Sequence, residues 1–291
     1  MILRPLRTDR WTMWHGVLAV ALALVGIAAT WDAWADIAQI AWKDPEYSHI
    51  FLVPLVAAWM LWVRRQRARH CKPIGTILGP IIAAFGWWVS YYGYYHQYQS
   101  LFHVGSVLVV LGCMVAVLGK HLIFRFFPAV AVLMFLVPVP GELRQDIAVP
   151  LQNWTAKIST AMFETLGVAT ERLGNQLIVN GVPVTIAEQC NGVRGIFALV
   201  LVSYAFGFGL PLRNSVRFLI LLASPLVTIG CNLLRILPTA WFYGYASPDF
   251  ALKFHNAAGW AMVPLAFVIL LGIIKVLRWA MLPVMRYTLA S

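Results

Sequence analysis

Apolar runs long enough to approach the thickness of a lipid bilayer recur along the whole chain, separated by short polar segments. Crossing the hydrocarbon core takes roughly 20 helical residues. The eight predicted spans are 12–29, 48–63, 75–92, 101–118, 122–138, 190–209, 217–241 and 257–276. The pattern therefore predicts an all-α integral membrane protein of about eight spans, with residues 1–291 forming a single membrane-embedded domain.

The longest segment between predicted spans, residues 140–189, changes its hydrophobic period halfway. The apolar residues of its first half recur at near-helical spacing: Ile147, Leu151, Trp154, Ile158 and Met162. Those of its second half alternate around the turn dipeptide Asn180-Gly181: Leu177, Val179, Val182, Val184 and Ile186. The segment predicts an amphipathic helix lying at the membrane surface and then a β-hairpin, together a small cap outside the membrane.

The composition supports the membrane class. Hydrophobic residues make up 61% of the chain and charged residues only 11%, outside the range of soluble globular proteins. Residues 12–30 lack a small-residue cleavage site, so we expect a retained first span rather than a signal peptide.

The net charge of +11 is explained by topology rather than by nucleic-acid binding. With the N-terminus inside, the cytoplasmic segments hold 15 of the 22 Lys and Arg residues: Arg4, Arg7, Arg10, Arg64, Arg65, Arg67, Arg69, Lys72, Lys120, Arg125, Arg213, Arg217, Lys275, Arg278 and Arg286. All 11 acidic residues except Asp9 then lie outside, which agrees but carries little weight. Both termini are predicted in the cytoplasm, and membrane lipid is an expected partner.

The four cysteines, Cys71, Cys113, Cys190 and Cys231, form no CxxC pair and no zinc-binding spacing. A disulfide framework is therefore not expected. The seven histidines include no HExxH motif. We expect no metal and no organic cofactor.

Three residues far apart in the sequence are predicted at a similar depth on the outer side. Cys190 lies where the sixth span enters the membrane, and His255 lies in the loop before the eighth. Arg235 follows Arg217 by 18 residues, which is about 27 Å along a helix and places it near the outer boundary.

These three residues have complementary chemistry. A thiol at a helix N-terminus, near a cation, is favoured as the thiolate. A histidine can take the thiol proton and return it to a leaving amine. An arginine, or the backbone amides around Asn191 and Gly192, can stabilise an oxyanion. The set is suited to acyl transfer.

Simpler roles fit the same residues. A lone cysteine in a membrane protein is usually a small apolar residue packed between helices. An arginine at the end of a span often extends to the phosphate of a lipid headgroup, and an interfacial histidine is often only solvated. Cys231, one turn before Arg235, is either a packing residue, which we favour, or a second thiol. Arg194 has either a functional or a structural role. In the first case it aids Cys190 electrostatically or binds the substrate carboxylate, and in the second it pairs with Glu188.

Several segments resemble the exosortase/archaeosortase family of membrane transpeptidases. They are YSHIFLVPLVAAWMLWVRR at 47–65, PVPGELRQDIAVPLQNWTAKI at 138–158, EQCNGVRG at 188–195, CNLLRI at 231–236 and FHNAAGW at 254–260. The likeness covers most of residues 44–278. Two departures are Asn191, where family members most often have Ser, and the lack of an exopolysaccharide-associated domain after the last span.

The resemblance implies that Cys190 is the nucleophile, Arg235 the arginine of the seventh span and His255 the proton-transfer residue. It implies secreted substrates with a C-terminal sorting tail, made of a Pro-Glu-Pro-like motif, one span and a basic cluster. It also implies a Gram-negative-type inner membrane, with the active site facing outward. Glu188, Asn191 and Arg194 are possible supporting residues.

Two other functions remain open from the residues. A transporter or export component for polysaccharide or lipid-linked sugar would use Arg194, Arg235 and the aromatic residues that crowd the outer edges of the early spans. These are Trp31, Trp34, Trp87, Trp88, Tyr91, Tyr92, Tyr94, Tyr95 and Tyr98. An interaction subunit would need none of the three candidate catalytic residues. The sequence does not predict the oligomeric state.

Overall fold

The computed structural model describes residues 12–70, 74–186 and 193–279. The chain forms two compact units, Met1–Pro140 and Gly141–Ser291. That residues 1–291 make one domain stays a prediction.

The first unit is helical throughout its described part. Its α-helices are α1 (Met13–Ala29), α2 (Trp31–Lys43), α3 (Val53–Val63), α4 (Leu78–Tyr95), α5 (Gln99–Leu118), α6 (His121–Arg125) and α7 (Phe127–Ala131). Three 3-10 helices accompany them: Pro45–Leu52, Arg65–His70 and Val132–Leu136. The first of these leads directly into α3, and the Tyr47 hydroxyl donates to the Val139 carbonyl at 2.9 Å.

Helices α4 and α5 approach until their backbones touch. Glycines recur every seven residues on both, at Gly79, Gly86 and Gly93 on α4 and at Gly105 and Gly112 on α5. A Cβ atom on Gly86 would lie 2.8 Å from the Gly105 carbonyl oxygen, and one on Gly105 would lie 2.5 Å from that of Gly86. Apolar side chains gain little by leaving lipid for another helix, so close contact through small residues is what stabilises such a pair.

Helices α1 and α2 meet at an angle of 83°. The break is at Thr30, whose hydroxyl donates to the Gly26 carbonyl at 2.8 Å and accepts from the Trp34 indole at 3.1 Å. These two hydrogen bonds give partners to the Gly26 carbonyl, the Thr30 hydroxyl and the Trp34 indole N–H where the helix is interrupted.

The fifth predicted span, 122–138, is not one continuous helix. It is divided among α6, α7 and a 3-10 helix. Pro128 stands at the start of α7, where its missing N–H cannot continue the preceding helix. The segment is therefore interrupted, and whether it crosses the membrane stays a prediction.

In its described part, the second unit combines four helices with a small sheet. Its elements are α8 (Gly141–Thr165), β1 (Thr170–Leu173), β2 (Gln176–Val179), β3 (Val182–Thr185), α9 (Val193–Gly209), α10 (Asn214–Tyr245) and α11 (Pro248–Trp279). The strands are antiparallel in the order β1-β2-β3. The predicted hairpin is confirmed: Val179 pairs with Val182, and both turn residues, Asn180 and Gly181, have positive φ.

The hairpin packs on helix α10. The Asn180 amide donates to the Gly244 carbonyl at 3.0 Å, and a Cβ on Gly244 would lie 2.9 Å from the Val179 carbonyl oxygen. Beneath this contact, α8, the sheet and α10 share a buried cluster: Ala156, Phe163, Leu177, Val179, Ile186, Ile236 and Ala240. The sheet is thus fixed on the helix that carries Arg235.

Helix α8 is confirmed, and it runs through Pro150. Its buried face includes polar residues, among them Gln152, Thr155 and Ser159. Most of the predicted apolar stripe faces outward instead, with Trp154 64% exposed. An outward apolar stripe is the arrangement expected of a helix that rests against lipid.

Helices α9, α10 and α11 pack around a second core: Leu199, Cys231, Met262, Ala266 and Leu270. Cys231 is 2% exposed within it, which agrees with a packing role. A Cβ on Gly195 would collide with Met262 and lie 2.7 Å from Cγ2 of Thr228. The start of α9 is therefore in close contact with both neighbouring helices.

By length and apolarity, four helical segments of the described chain could cross a membrane: Pro45–Val63, Gln99–Leu118, Asn214–Tyr245 and Pro248–Val276. The number rises to six if each of two bent helix pairs counts as one span. The chain is a multi-pass helical membrane protein. The count of eight, the orientation and the outer location of the cap stay predictions.

Candidate active site

The predicted nucleophile lies outside the described residues, as do Glu188, Asn191 and Cys71. Arg194 lies in the first turn of α9, but its side chain is also outside what the structure describes. The geometry therefore bears on Arg235, His255 and the segments that flank Cys190.

Arg235 extends from α10 towards α11. A Cβ placed on Gly259 would lie 3.4 Å from Nη1 of Arg235. Because Gly259 has no side chain, the half-buried guanidinium has room beside the backbone of α11. The Thr239 hydroxyl donates to the Arg235 carbonyl at 2.7 Å, one turn further along α10.

His255 lies in α11, one turn before Gly259, and not in a loop as the sequence predicted. The helix begins earlier because Pro248 can occupy its first turn and the Ser247 hydroxyl accepts from the Phe250 N–H at 3.4 Å. Ser247 followed by Pro248 is a sequence pattern that predicts the start of a helix. The half-buried His255 is a neighbour of the Arg235 guanidinium, which reaches α11 one turn further on, at Gly259.

An aromatic cluster fixes the register between α10 and α11 near their connection. The Phe242 ring lies 4.9 Å from that of Phe250 and 4.8 Å from that of Phe254, measured between ring centroids. Phe254 immediately precedes His255. The same contacts that hold the two helices together therefore hold the imidazole in place.

A cavity of about 380 Å³ opens beside these residues in the second unit. Its lining comes from three elements and the end of a fourth: Pro183, Val184, Thr185, Ile186, Ile236, Thr239, Ala240, Tyr243, Leu252, His255 and Asn256. Apolar walls with a few polar groups are typical of a binding site. Sequence reasoning missed Tyr243, Thr239 and Asn256; only Asn256, next to His255 in the family-like segment, carried any signal.

The chain is anchored immediately before the segment that contains Cys190. The Ile186 side chain is buried, and its N–H donates to the Asn175 carbonyl at 3.0 Å. The Asn175 amide in turn donates to Gln152 of α8 at 3.2 Å and to the Ile186 carbonyl at 3.3 Å. On the other side of the segment, Gly195 anchors the start of α9.

Asn232 was also missed. It is 1% exposed and lies on α10 close to one turn before Arg235. Its position three residues before Arg235 could have indicated that the two side chains share a face of α10. In the described ranges, no group of three or more His, Cys, Asp or Glu side chains is arranged to hold a metal ion.

Fold and cavity together define a multi-pass membrane protein in which a histidine of α11 lines a partly polar cleft and an arginine of α10 lies against α11. Residues 34–272 match the transmembrane exosortase family, and the chain belongs to that family. Its members are generally cysteine transpeptidases that act in protein sorting on secreted proteins with C-terminal tails. Comparison with curated proteins and with solved structures finds no match.

Proposed function

We propose that this chain is a cysteine protease and transpeptidase of the inner membrane that removes the C-terminal sorting tail of exported proteins. The tail would consist of a Pro-Glu-Pro-type motif, one span and a basic cluster. The active site faces the outside of an eight-span bundle, both termini lie in the cytoplasm, and residues 140–189 form the outer cap.

The observation that carries this proposal is that Arg235 of α10 reaches α11 at Gly259, one turn after His255. Arg235 and His255 are 20 positions apart in sequence. Strand β3 and Ile186 line the cavity that His255 also lines. Cys190 is four positions after Ile186 in the sequence, and covalent geometry limits the distance between their Cα atoms to about 14 Å.

In the proposed reaction, His255 takes the proton of the Cys190 thiol, and the thiolate attacks the carbonyl carbon of the scissile peptide bond. Arg235 stabilises the negative charge, first on sulfur and then on oxygen. The C–N bond breaks, and His255 gives its proton to the leaving amine. The product is a thioester between the exported protein and Cys190.

The second half-reaction releases the exported protein. An amine or a water molecule attacks the thioester carbonyl, and His255 accepts the proton that the nucleophile loses. The C–S bond breaks, and the sulfur leaves as the thiolate. Glu188, Asn191 and Arg194 flank the nucleophile, and their supporting roles stay predictions.

The test is the processing of a tagged, co-expressed reporter that bears a Pro-Glu-Pro-type tail. We expect wild type to shorten the reporter and Cys190→Ala to leave it intact on a gel. Cys231→Ala is the matched control, because that thiol is buried in the helical core, and it should process normally.

Equal processing by wild type and Cys190→Ala would contradict the proposal. A transporter would instead keep its function in Cys190→Ala and lose it when Arg235 is replaced.

A further inference from the structure

Strand β3 lies at one edge of the sheet, and in the described chain it pairs only with β2. Val179 and Val182 flank a two-residue turn, so they exchange both backbone hydrogen bonds. Hydrogen-bonded and non-bonded pairs alternate along an antiparallel ladder. The backbone groups of Pro183 and Thr185 therefore point away from β2.

The next residue agrees with this alternation. The Ile186 N–H turns back and donates to the Asn175 carbonyl. The outer edge of β3 thus offers three groups: the carbonyl of Pro183, and the N–H and carbonyl of Thr185. Because proline has no N–H, Thr185 supplies the one outward donor of the strand.

The cavity beside His255 runs along this edge. Four consecutive residues, 183–186, line it. Side chains of consecutive strand residues point to opposite faces of a sheet, so a cavity that touches all four lies along the strand's edge rather than over one face. His255 and Asn256 of α11 also line it.

We propose that the substrate binds in extended form as an added strand along β3, hydrogen-bonded to the outward N–H and carbonyl of Thr185. The inference rests on the proposed function and names how that site holds its peptide. Strand addition uses main-chain hydrogen bonds for affinity and leaves side-chain pockets for specificity. In sequence, Cys190 follows Thr185 by five positions.

The competing explanation is that β3 is only an exposed edge. Proline is common on edge strands because it prevents unwanted pairing with other chains. In that case, the outward N–H of Thr185 would not matter to processing. Removing this single donor separates the two explanations.

The variant Thr185→Pro removes the donor while leaving the pairing with β2 intact. We expect its initial processing rate at low reporter concentration, which measures kcat/KM, to fall about tenfold. That is the effect of losing roughly one hydrogen bond and leaving its acceptor on the substrate unpaired.

Arg172→Pro is the matched control, because the register of β1 points the Arg172 N–H away from β2 at the opposite edge of the sheet. Thr185→Val keeps the N–H and controls for the hydroxyl, which accepts from Gln176. Both controls should stay within about twofold of wild type.

Disulfide cross-linking provides a readout that is independent of turnover and of the proline's effect on folding. Single cysteines are placed along the reporter's cleavage region and at Thr185 or Val184 of the Cys190→Ala protein. Same-face side chains of paired strands lie about 5 Å apart. Thr185→Cys should therefore cross-link to every second reporter position, and Val184→Cys to the alternate set.

The results separate this inference from the proposed function. A period-two pattern with a selective loss in Thr185→Pro supports strand addition. The absence of that pattern, or equal rates in Thr185→Pro and Arg172→Pro, overturns strand addition and leaves the cysteine mechanism standing. Unchanged processing by Cys190→Ala overturns the proposed function instead.

Discussion

Two pairs of consecutive helices, one in each unit, pack in opposite ways. In α4 and α5, glycines bring the backbones together, so that a Cβ on Gly86 would lie 2.8 Å from the Gly105 carbonyl oxygen. In α10 and α11, side chains separate the helices, and the guanidinium of Arg235 lies beside Gly259. At Gly86 and Gly105 the first pair leaves no space for a side chain between its helices, whereas the second pair holds Arg235 against α11 and places His255 in the lining of a cavity.

Glycine has a different role in each pair. On α4 and α5, glycines seven residues apart create continuous backbone contact that stabilises the fold. On α11, Gly259 lies against the Arg235 guanidinium, so a side chain larger than a methyl group there would press on it. Substitutions in the two pairs should accordingly affect different quantities: stability in the first unit and processing in the second.

The largest expected effect is at the ionisable pair. His255→Ala should lower the processing rate by at least about 100-fold, the usual contribution of a proton-transfer group. Reporter turnover measures the change, and His121→Ala, at an exposed position on α6, is the control. Normal turnover in His255→Ala would remove this residue from the mechanism and leave α10 and α11 as packing helices.

A smaller effect is expected when the space beside Arg235 is filled. Gly259→Leu places a side chain against Nη1 and displaces the guanidinium, which should slow processing about 10- to 100-fold. Gly272→Leu on the same helix is the matched control, because nothing lies within 4 Å of a Cβ at Gly272. If both variants processed at the wild-type rate, Gly259 would have no role in positioning Arg235.

The smallest expected effect is on stability in the first unit. Gly105→Ala overpacks the backbone contact with α4 and should destabilise the protein by about 1–3 kcal/mol. Gly230→Ala on α10, where a Cβ meets nothing within 4 Å, should be neutral or stabilising, since alanine favours helix. Thermal unfolding in detergent measures both. Similar melting temperatures for the two variants would contradict the glycine contact between α4 and α5.

Local patterns predicted much of the fold. Asn180-Gly181 between alternating apolar residues gave the hairpin, and the near-helical spacing from Ile147 to Met162 gave α8. Strand β1 was missed because most of its residues are exposed and have no apolar alternation to read. Its place depends on pairing with β2, which a local pattern does not encode.

The seven-residue glycine spacing on α4 and α5 was also visible in the sequence. Its meaning depended on the pairing of the two helices, because glycine on one helix needs backbone from the other to make the contact. The break within residues 122–138 was visible in the sequence as Pro128. The many apolar residues around this proline nevertheless favoured the prediction of one span.

For the candidate site, the sequence predicted that Arg235 and His255 lie near each other, and the structure brings them together. The cavity and the contribution of β3 were not predictable, because they arise where the sheet packs on α10 and α11. The cysteine, which carries the proposed chemistry, lies outside the described residues and stays a prediction.

The central claim is that Cys190 forms a thioester with the exported protein. The most direct measurement is mass spectrometry of the enzyme after rapid acid quenching during reporter turnover, with the modified peptide mapped. The account predicts a reporter-derived acyl group on Cys190 that hydroxylamine removes and that is absent from Cys190→Ala. Continued turnover with no adduct on Cys190, or an adduct on another residue, would contradict it.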